Sequence, residues 1–245
     1  MMPATPIIPI VEVIDQAEVG NTDPLLCTGA DGLRYYVKGQ QTNRSSLWGE
    51  WICAHLAQAL GLPLPPFSLV QLDEALVDEL PKKWQRIGSL PAFGSCEQKQ
   101  VAWLELGMRH LVPLELQRQV VAFDWWVRNA DRLRGNTNLL WDANHQSLVV
   151  IDHNLAFDSQ FDAAQFSTQH VFADQWPVLA YDLVEQANHA EWLHSALGAA
   201  TNAVKTAPEE WLWENAEFDV PTPFDCSRAL RLLERCAAPD FWRTA

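Results

Sequence analysis

Residues 129–141, NADRLRGNTNLLW, decide how the chain is read. They follow one of its most apolar runs, yet positions 129–138 hold an acid, two arginines and three asparagines. Groups of this kind are costly to bury without partners. The segment is therefore either a hydrated loop or a site.

The flanking residues supply geometry. Upstream, Pro113 suits the first turn of a helix running through LELQRQVVAFDWWVRN, and its apolar positions surround most of the helix, so it is expected to be central. Trp125 and Trp126 fit that buried helix and not a base-stacking platform, since no basic groove accompanies them. Downstream, NLLW and SLVVI read as short strands around the turn DANH, with Asp142 a turn residue. If they pair antiparallel, the chain before Asn138 and the chain after Ile151 emerge at the same end. Asp131, Asn136 and Asp152 then become neighbours although they span 21 positions. Two carboxylates and an amide converging there repel unless a cation sits among them. Hard oxygen donors suit Mg²⁺, which takes further ligands from substrate phosphates. A nucleotide triphosphate is the natural partner.

The first 75 residues read as a β-rich lobe. IIPIVEVI, LLCT and LRYYVK form a three-stranded antiparallel meander around the turns GNTDP and GADG. SSLWGEWICAHLAQALG then reads as a helix, with Ser45 or Ser46 as N-cap and Gly61 as its stop. After LPLPP, FSLVQLD returns to strand character. Residues 76–112, rich in turn formers such as PKKWQRIGSLPAFGS, read as a connecting region, and residues 113–245 as a mainly helical lobe. ANHAEWLHSALGAATNAVK and DCSRALRLLERC are its clearest later helices. No linker, repeat or low-complexity tract divides the 245 residues, so one domain with two lobes is expected.

Composition narrows the function classes. A hydrophobic fraction of 48% with twelve tryptophans describes a folded globular chain. A net charge of −14 argues against diffuse attraction to nucleic acid or anionic membranes. No signal peptide or membrane-length apolar run is expected, and the chain reads as soluble. Five cysteines without CxxC spacing fit reduced thiols in a cytosol. The seven histidines show no HExxH and no pairing with cysteines at ligand spacing, which disfavours structural zinc.

Two residues of the first lobe bear on a phosphate partner. Lys38 ends the strand LRYYVK and is one of five lysines. On the next helix Glu50 interrupts the apolar stripe of Leu47, Ala54 and Ala57. A carboxylate there wants a cation, and Lys38 is the obvious one. The plainer readings are a solvated strand end for Lys38 and a helix-dipole role for Glu50.

The order Lys in a strand, Glu in the next helix, D-x-x-x-x-N in a loop and Asp after a hairpin is that of the protein-kinase-like fold. More narrowly, YYVKG, WGEWICAHLAQALGLPLPP, FDWWVRNADRLRGNTNLLW and VVIDHNLAFD resemble the HipA-like kinases, relatives of bacterial toxin serine/threonine kinases. The resemblance covers roughly residues 7–175. It implies an α+β, bilobal protein-kinase-like fold, with a small N-terminal β-rich lobe carrying one helix and a larger, mainly helical C-terminal lobe. It further implies ATP and Mg²⁺ as cofactors, and transfer of phosphate to a serine or threonine of a protein in the cytoplasm. A small regulatory or antitoxin protein becomes a candidate partner.

By the same resemblance Lys38 contacts the α- and β-phosphates and pairs with Glu50. Asp131 orients or deprotonates the attacking hydroxyl, and Asn136 and Asp152 bind Mg²⁺. Gly20, Asn21 and Thr22 fall where a phosphate-covering loop belongs, although for Thr22 a turn role is as good a reading. Arg132 follows the catalytic Asp, as in the lipid-kinase branch of the fold. The chain departs from the wider pattern in having no GxGxxG and in placing its metal Asp in DHN. His153 is read as tuning that Asp or as packing, and His170 as a satisfied core histidine. A small-molecule or lipid kinase, and a nucleotide-binding pseudokinase, are the rival readings.

Overall fold

The computed structural model describes residues 5–17, 23–215 and 217–244. The chain forms two compact units. One comprises Met1–Trp51, Pro65–Lys99 and Lys205–Phe224, and the other Ile52–Leu64, Gln100–Val204 and Asp225–Ala245.

The first unit is built on a closed barrel of β1 (Ile7–Gln16), β2 (Leu25–Gly29), β3 (Arg34–Lys38), β4 (Phe67–Leu72) and β5 (Ala92–Cys96), in the order β1-β2-β3-β5-β4. The expected meander β1-β2-β3 is present, with Cys27 opposite both Val13 and Tyr35. Closure comes from β1 running parallel to β4 and from β5 pairing antiparallel with β3 and β4. Alternate side chains point inward, and Ile10, Leu25, Cys27, Tyr35, Val37, Val70 and Leu72 form the core with Ile87 and Ala92.

The connecting region 76–112 is more structured than its composition suggests. It holds most of α2 (Glu74–Glu79), the 3₁₀ turn Gln85–Ile87, β5, β6 (Val101–Trp103) and the 3₁₀ helix Leu106–Leu111. β5 carries the turn-like sequence AFGSC because its glycine answers a packing demand. A Cβ on Gly94 would lie 2.6 Å from Val70 Cγ1 and 3.2 Å from Tyr35 Cδ1. Turn chemistry and close strand approach both select glycine, which is why composition misled here.

Helix α1 spans Arg44–Ala59. Its cap is neither Ser45 nor Ser46: Asn43 Oδ1 accepts from the Ser46 N–H at 2.7 Å. Asn caps as well as Ser, so the helix starts earlier than expected. It stops at Gly61, whose φ of 71° is open to glycine at little cost. Residues 205–224 also belong to the barrel unit. There Trp211 is fully buried, donates from Nε1 to Pro91 O at 2.8 Å, and accepts at its carbonyl from Trp48 Nε1 at 3.0 Å.

The second unit centres on α3 (Leu114–Val127), preceded by Pro113 at its N-cap. Val120 through Val127 are all buried. The indole N–H groups of Trp125 and Trp126 donate to Phe241 O at 2.9 Å and Leu233 O at 2.7 Å, so two tryptophans can sit in the core without an unpaired donor. The predicted hairpin exists as β7 (Leu139–Asp142) and β8 (Ser147–Val150), with Leu139 opposite Val150, and β6 extends it to three strands. Asp142 shapes its turn by accepting from the N–H groups of Asn144 and His145. The remaining helices are α4 (Ala163–Gln169), α5 (Trp176–Tyr181), α6 (Leu183–Ser195), α7 (Leu197–Thr206) and α8 (Cys226–Glu234). The long helical run expected in ANHAEWLHSALGAATNAVK is divided at Ala196 between α6 and α7.

Candidate active site

In the barrel unit, β3 ends at Lys38 and α1 presents Glu50 from its second turn. Both side chains are buried and Lys38 Nζ pairs with Glu50 Oε1. The interruption of α1's apolar stripe is thus explained, because a buried carboxylate needs a cation and the strand end supplies it. Neither the solvated reading of Lys38 nor the first-turn reading of Glu50 fits this burial. Gly20, Asn21 and Thr22 lie outside the described residues.

In the second unit the polar loop begins where α3 ends. Arg128 takes the left-handed conformation at φ 53°, and its N–H approaches Trp125 O at the helix end. The loop is then fastened from beneath. Asp124, deep in α3 and with no exposed surface, accepts from Arg132 Nε at 2.6 Å, from Asn129 Nδ2 at 3.0 Å and from His170 Nε2 at 3.0 Å. Arg132 is equally buried and spends its other donors on the site. Its Nη1 reaches the carbonyls of Asn138 and Ile151, and its Nη2 lies 3.2 Å from His153 Nε2. One guanidinium therefore ties α3, the polar loop and the segment leaving β8. Arginine suits this because its donors radiate in a rigid planar fork.

The protonation states follow from the partners. Burial would push the Asp124 carboxyl up, but Arg132 and His170 outweigh it and hold it well below the usual carboxylate range. Burial pushes His170 down, toward the neutral imidazole. His170 Nδ1 accepts from the Phe172 N–H at 3.1 Å, so its single proton sits on Nε2, facing Asp124. Arg132 can only donate, which makes His153 Nε2 an acceptor and places its proton on Nδ1.

Above this base, Asp131 Oδ2 accepts from Asn138 Nδ2 at 2.8 Å and, at the long distance of 3.5 Å, from Asn136 Nδ2. Burial raises the Asp131 carboxyl above its ordinary value and the charge of Asp152 adds to the rise, while Asn138, Arg132 and Asn136 oppose it. Asp131 and Asp152 are thus electrostatic neighbours, and the hairpin brings Asn136 and Asp152 to one end of β7–β8 as expected. Asn138 and Asp152 both hold positive φ, 47° and 61°. Asn and Asp enter the left-handed region more readily than other non-glycine residues, and here that conformation sets the aim of both side chains. The Asp131 and Asp152 carboxylates with the Asn136 side-chain amide offer hard oxygen donors of the kind that could hold a divalent cation.

The sequence placed Asp131, Asn136 and Asp152 correctly with respect to the hairpin and left Arg132 undecided. The structure assigns Arg132 to the buried network, makes Asn138 the closer partner of Asp131, and confirms His170 as a satisfied core residue. Asp124 was missed. Its signal was available: a lone acid in the otherwise apolar VVAFDWWV asks for a buried cation by the same reasoning that paired Glu50 with Lys38.

The family model described as HipA-like kinase matches residues 10–245. Among solved structures, the Helicobacter pylori proinflammatory kinase CtkA aligns with a TM-score of 0.54 at 11% identity, covering 95% of both chains. The Golgi casein kinase aligns at 0.49 and 13% identity, covering 95% of this chain and 69% of that one. No curated protein matches the chain. At such identities the CtkA alignment establishes the protein-kinase-like fold, an α+β architecture, and not a substrate.

Proposed function

The chain belongs to the HipA-like kinase family, and from that premise we propose that it transfers the γ-phosphate of ATP to a serine or threonine hydroxyl of a protein. The observation that carries this reading is Asp131: a carboxylate raised above its ordinary value, fixed by Asn138, beside the metal-binding candidates Asn136 and Asp152.

Each residue has a task that its setting supports. Asp131 accepts a hydrogen bond from the attacking hydroxyl and takes its proton as that oxygen bonds to the γ-phosphorus and the bond from the γ-phosphorus to the bridging oxygen breaks, releasing ADP. Asn138 keeps the carboxylate turned to one rotamer, so little entropy is lost on reaching the reactive arrangement. Asn136 and Asp152 would hold Mg²⁺, which neutralises phosphate charge when bound. Lys38, kept in one position by Glu50, donates to phosphate oxygens. The Arg132 network fixes the aim of the loop and touches no reacting atom. A protein acceptor, a small regulatory protein as further partner and a cytoplasmic setting complete the reading. Among the described residues, no helix is long and apolar enough to cross a membrane.

The test is incubation of the purified protein with γ-labelled ATP and Mg²⁺, alone and with a cell lysate or a metabolite extract, followed by mass spectrometry. Label on serine or threonine of protein supports the proposal. Asp131→Ala and Asp152→Ala are each expected to lower transfer by at least about 100-fold while leaving the fold intact. Undiminished transfer in either variant removes that residue from the machinery, and label confined to a metabolite overturns the protein substrate.

A further inference from the structure

Within the second unit, away from the Asp131 loop in sequence, α3 and α6 bring together Glu115, Glu185 and His189. One ligand atom from each lies within 4.8 Å of the other two. The pair Glu185 and His189 is spaced i, i+4 and so shares one face of α6, while Glu115 comes from the first turn of α3.

Acids near one another are commonplace, and the histidine is what distinguishes this group. His189 is only 4% exposed. Its Nδ1 lies 2.9 Å from the Glu185 carbonyl oxygen, an acceptor, which fixes the ring proton on Nδ1. The lone pair of Nε2 is then buried with no hydrogen-bond partner among the described residues. The nearest carboxylate oxygen, Glu115 Oε1, is 3.9 Å away and accepts only, so it cannot satisfy that lone pair. Nε2 faces the Glu115 carboxylate while the Glu185 carboxylate lies 3.5 Å from Nδ1. An imidazole whose one nitrogen donates to a backbone carbonyl while the other keeps a free lone pair is the arrangement of a metal-ligating histidine.

We propose that Glu115, Glu185 and His189 form a three-ligand site for a borderline divalent cation such as Zn²⁺. Imidazole nitrogen with two carboxylate oxygens suits zinc, and three protein ligands leave a fourth position for water. The half-exposed Glu115 can swing to shorten the present separations, whereas His189 and its backbone anchor are fixed. Arg118 now balances the acids, with Nη1 3.7 Å from both Glu115 Oε2 and Glu185 Oε1. The ion displaces that guanidinium, which makes the site one of moderate affinity. The sequence disfavoured zinc because no histidine was paired with cysteine, but here the ligands beside histidine are carboxylates from two helices. Metal bound this way fastens α3 to α6.

The experiment is isothermal titration of the 245-residue protein with ZnCl₂, with melting temperature followed in parallel. Asp152→Asn serves as the background in which the candidate Mg²⁺ site is impaired. Binding of a single zinc per chain that survives Asp152→Asn, raises the melting temperature and weakens at least roughly tenfold in His189→Gln supports the proposal. Glu115→Gln, at a largely exposed position, must weaken binding likewise, so a failure of His189→Gln to fold does not decide the matter. Zinc binding unchanged in Glu115→Gln, or no zinc binding by the unaltered protein, overturns it. Neither outcome bears on phosphate transfer.

Discussion

Arg132 Nε and Asp124 Oδ2 lie 2.6 Å apart with both side chains fully buried. The pair joins the residue immediately after the candidate catalytic Asp131 to the last turn of the central helix. Removing one partner leaves the other as a buried charge, and the loss then greatly exceeds what the pair contributes. Asp124→Ala is expected to destabilise the fold by about 3–5 kcal/mol, read as a lower midpoint in urea denaturation. A loss within about 1 kcal/mol, the range of an exposed ion pair, would show that the network does not carry the loop.

The same network predicts acid sensitivity. His170 has its folded value lowered by burial, so below about pH 6.5, the unperturbed histidine value, the unfolded chain takes up a proton that the folded one resists. Stability then falls as pH drops, and His55, also lowered by burial, acts in the same direction. Asp124 is lowered below its unfolded value, so its contribution is fully present above about pH 4 and is lost only in stronger acid. Denaturation between pH 5 and pH 7, on the order of the histidine range, is expected to show falling stability toward acid, with a shallower slope in His170→Gln. An equal slope in that variant would remove His170 from the effect.

Asp131 makes an independent kinetic prediction. Its carboxyl is raised by burial first and by Asp152 second, so the acid limb of kcat/KM for phosphate transfer is expected above about pH 3.9, the ordinary aspartate value. Asn138 opposes that rise by donating to Oδ2. Asn138→Gly removes the donor, suits the positive φ, and should move the limb further toward neutral pH. A limb that stays in place or moves toward acid would refute the assignment of Asn138 as the residue tuning Asp131.

In the barrel unit, Gly94→Ala places a methyl against Val70 Cγ1, and overpacking of this kind costs about 1–3 kcal/mol. Val70→Ala should offset part of that cost, so the double variant is expected to be more stable than the sum of the single changes implies. Strict additivity in thermal or urea denaturation would place the strain elsewhere.

These residues also mark where the sequence could be read and where it could not. The hairpin β7–β8 and the meander β1–β3 were legible because alternation and turn chemistry are local. Lys38–Glu50 was legible because an acid on an apolar stripe asks for a partner, and few lysines could answer. Strand β5 was not, since Gly94 is dictated by Val70 and Tyr35, which are distant in sequence. Asn43 escaped as a cap because two serines beside it carry the same signal. In the site, order along the chain located Asp131, Asn136 and Asp152. The direction in which Arg132 points depends on Asp124, His153 and His170 at once, and no local pattern encodes that convergence.

Because Arg132 spends its donors on α3, the loop and the strand exit together, residues 129–138 are expected to show no melting transition separate from that of the helical core. Opening them would disrupt the buried charges of the helical core, a cost close to that of unfolding the unit itself. On heating, this loop should stay formed until the core gives way. Control over the protein is then expected to act by covering the loop or through other segments and not by loosening it.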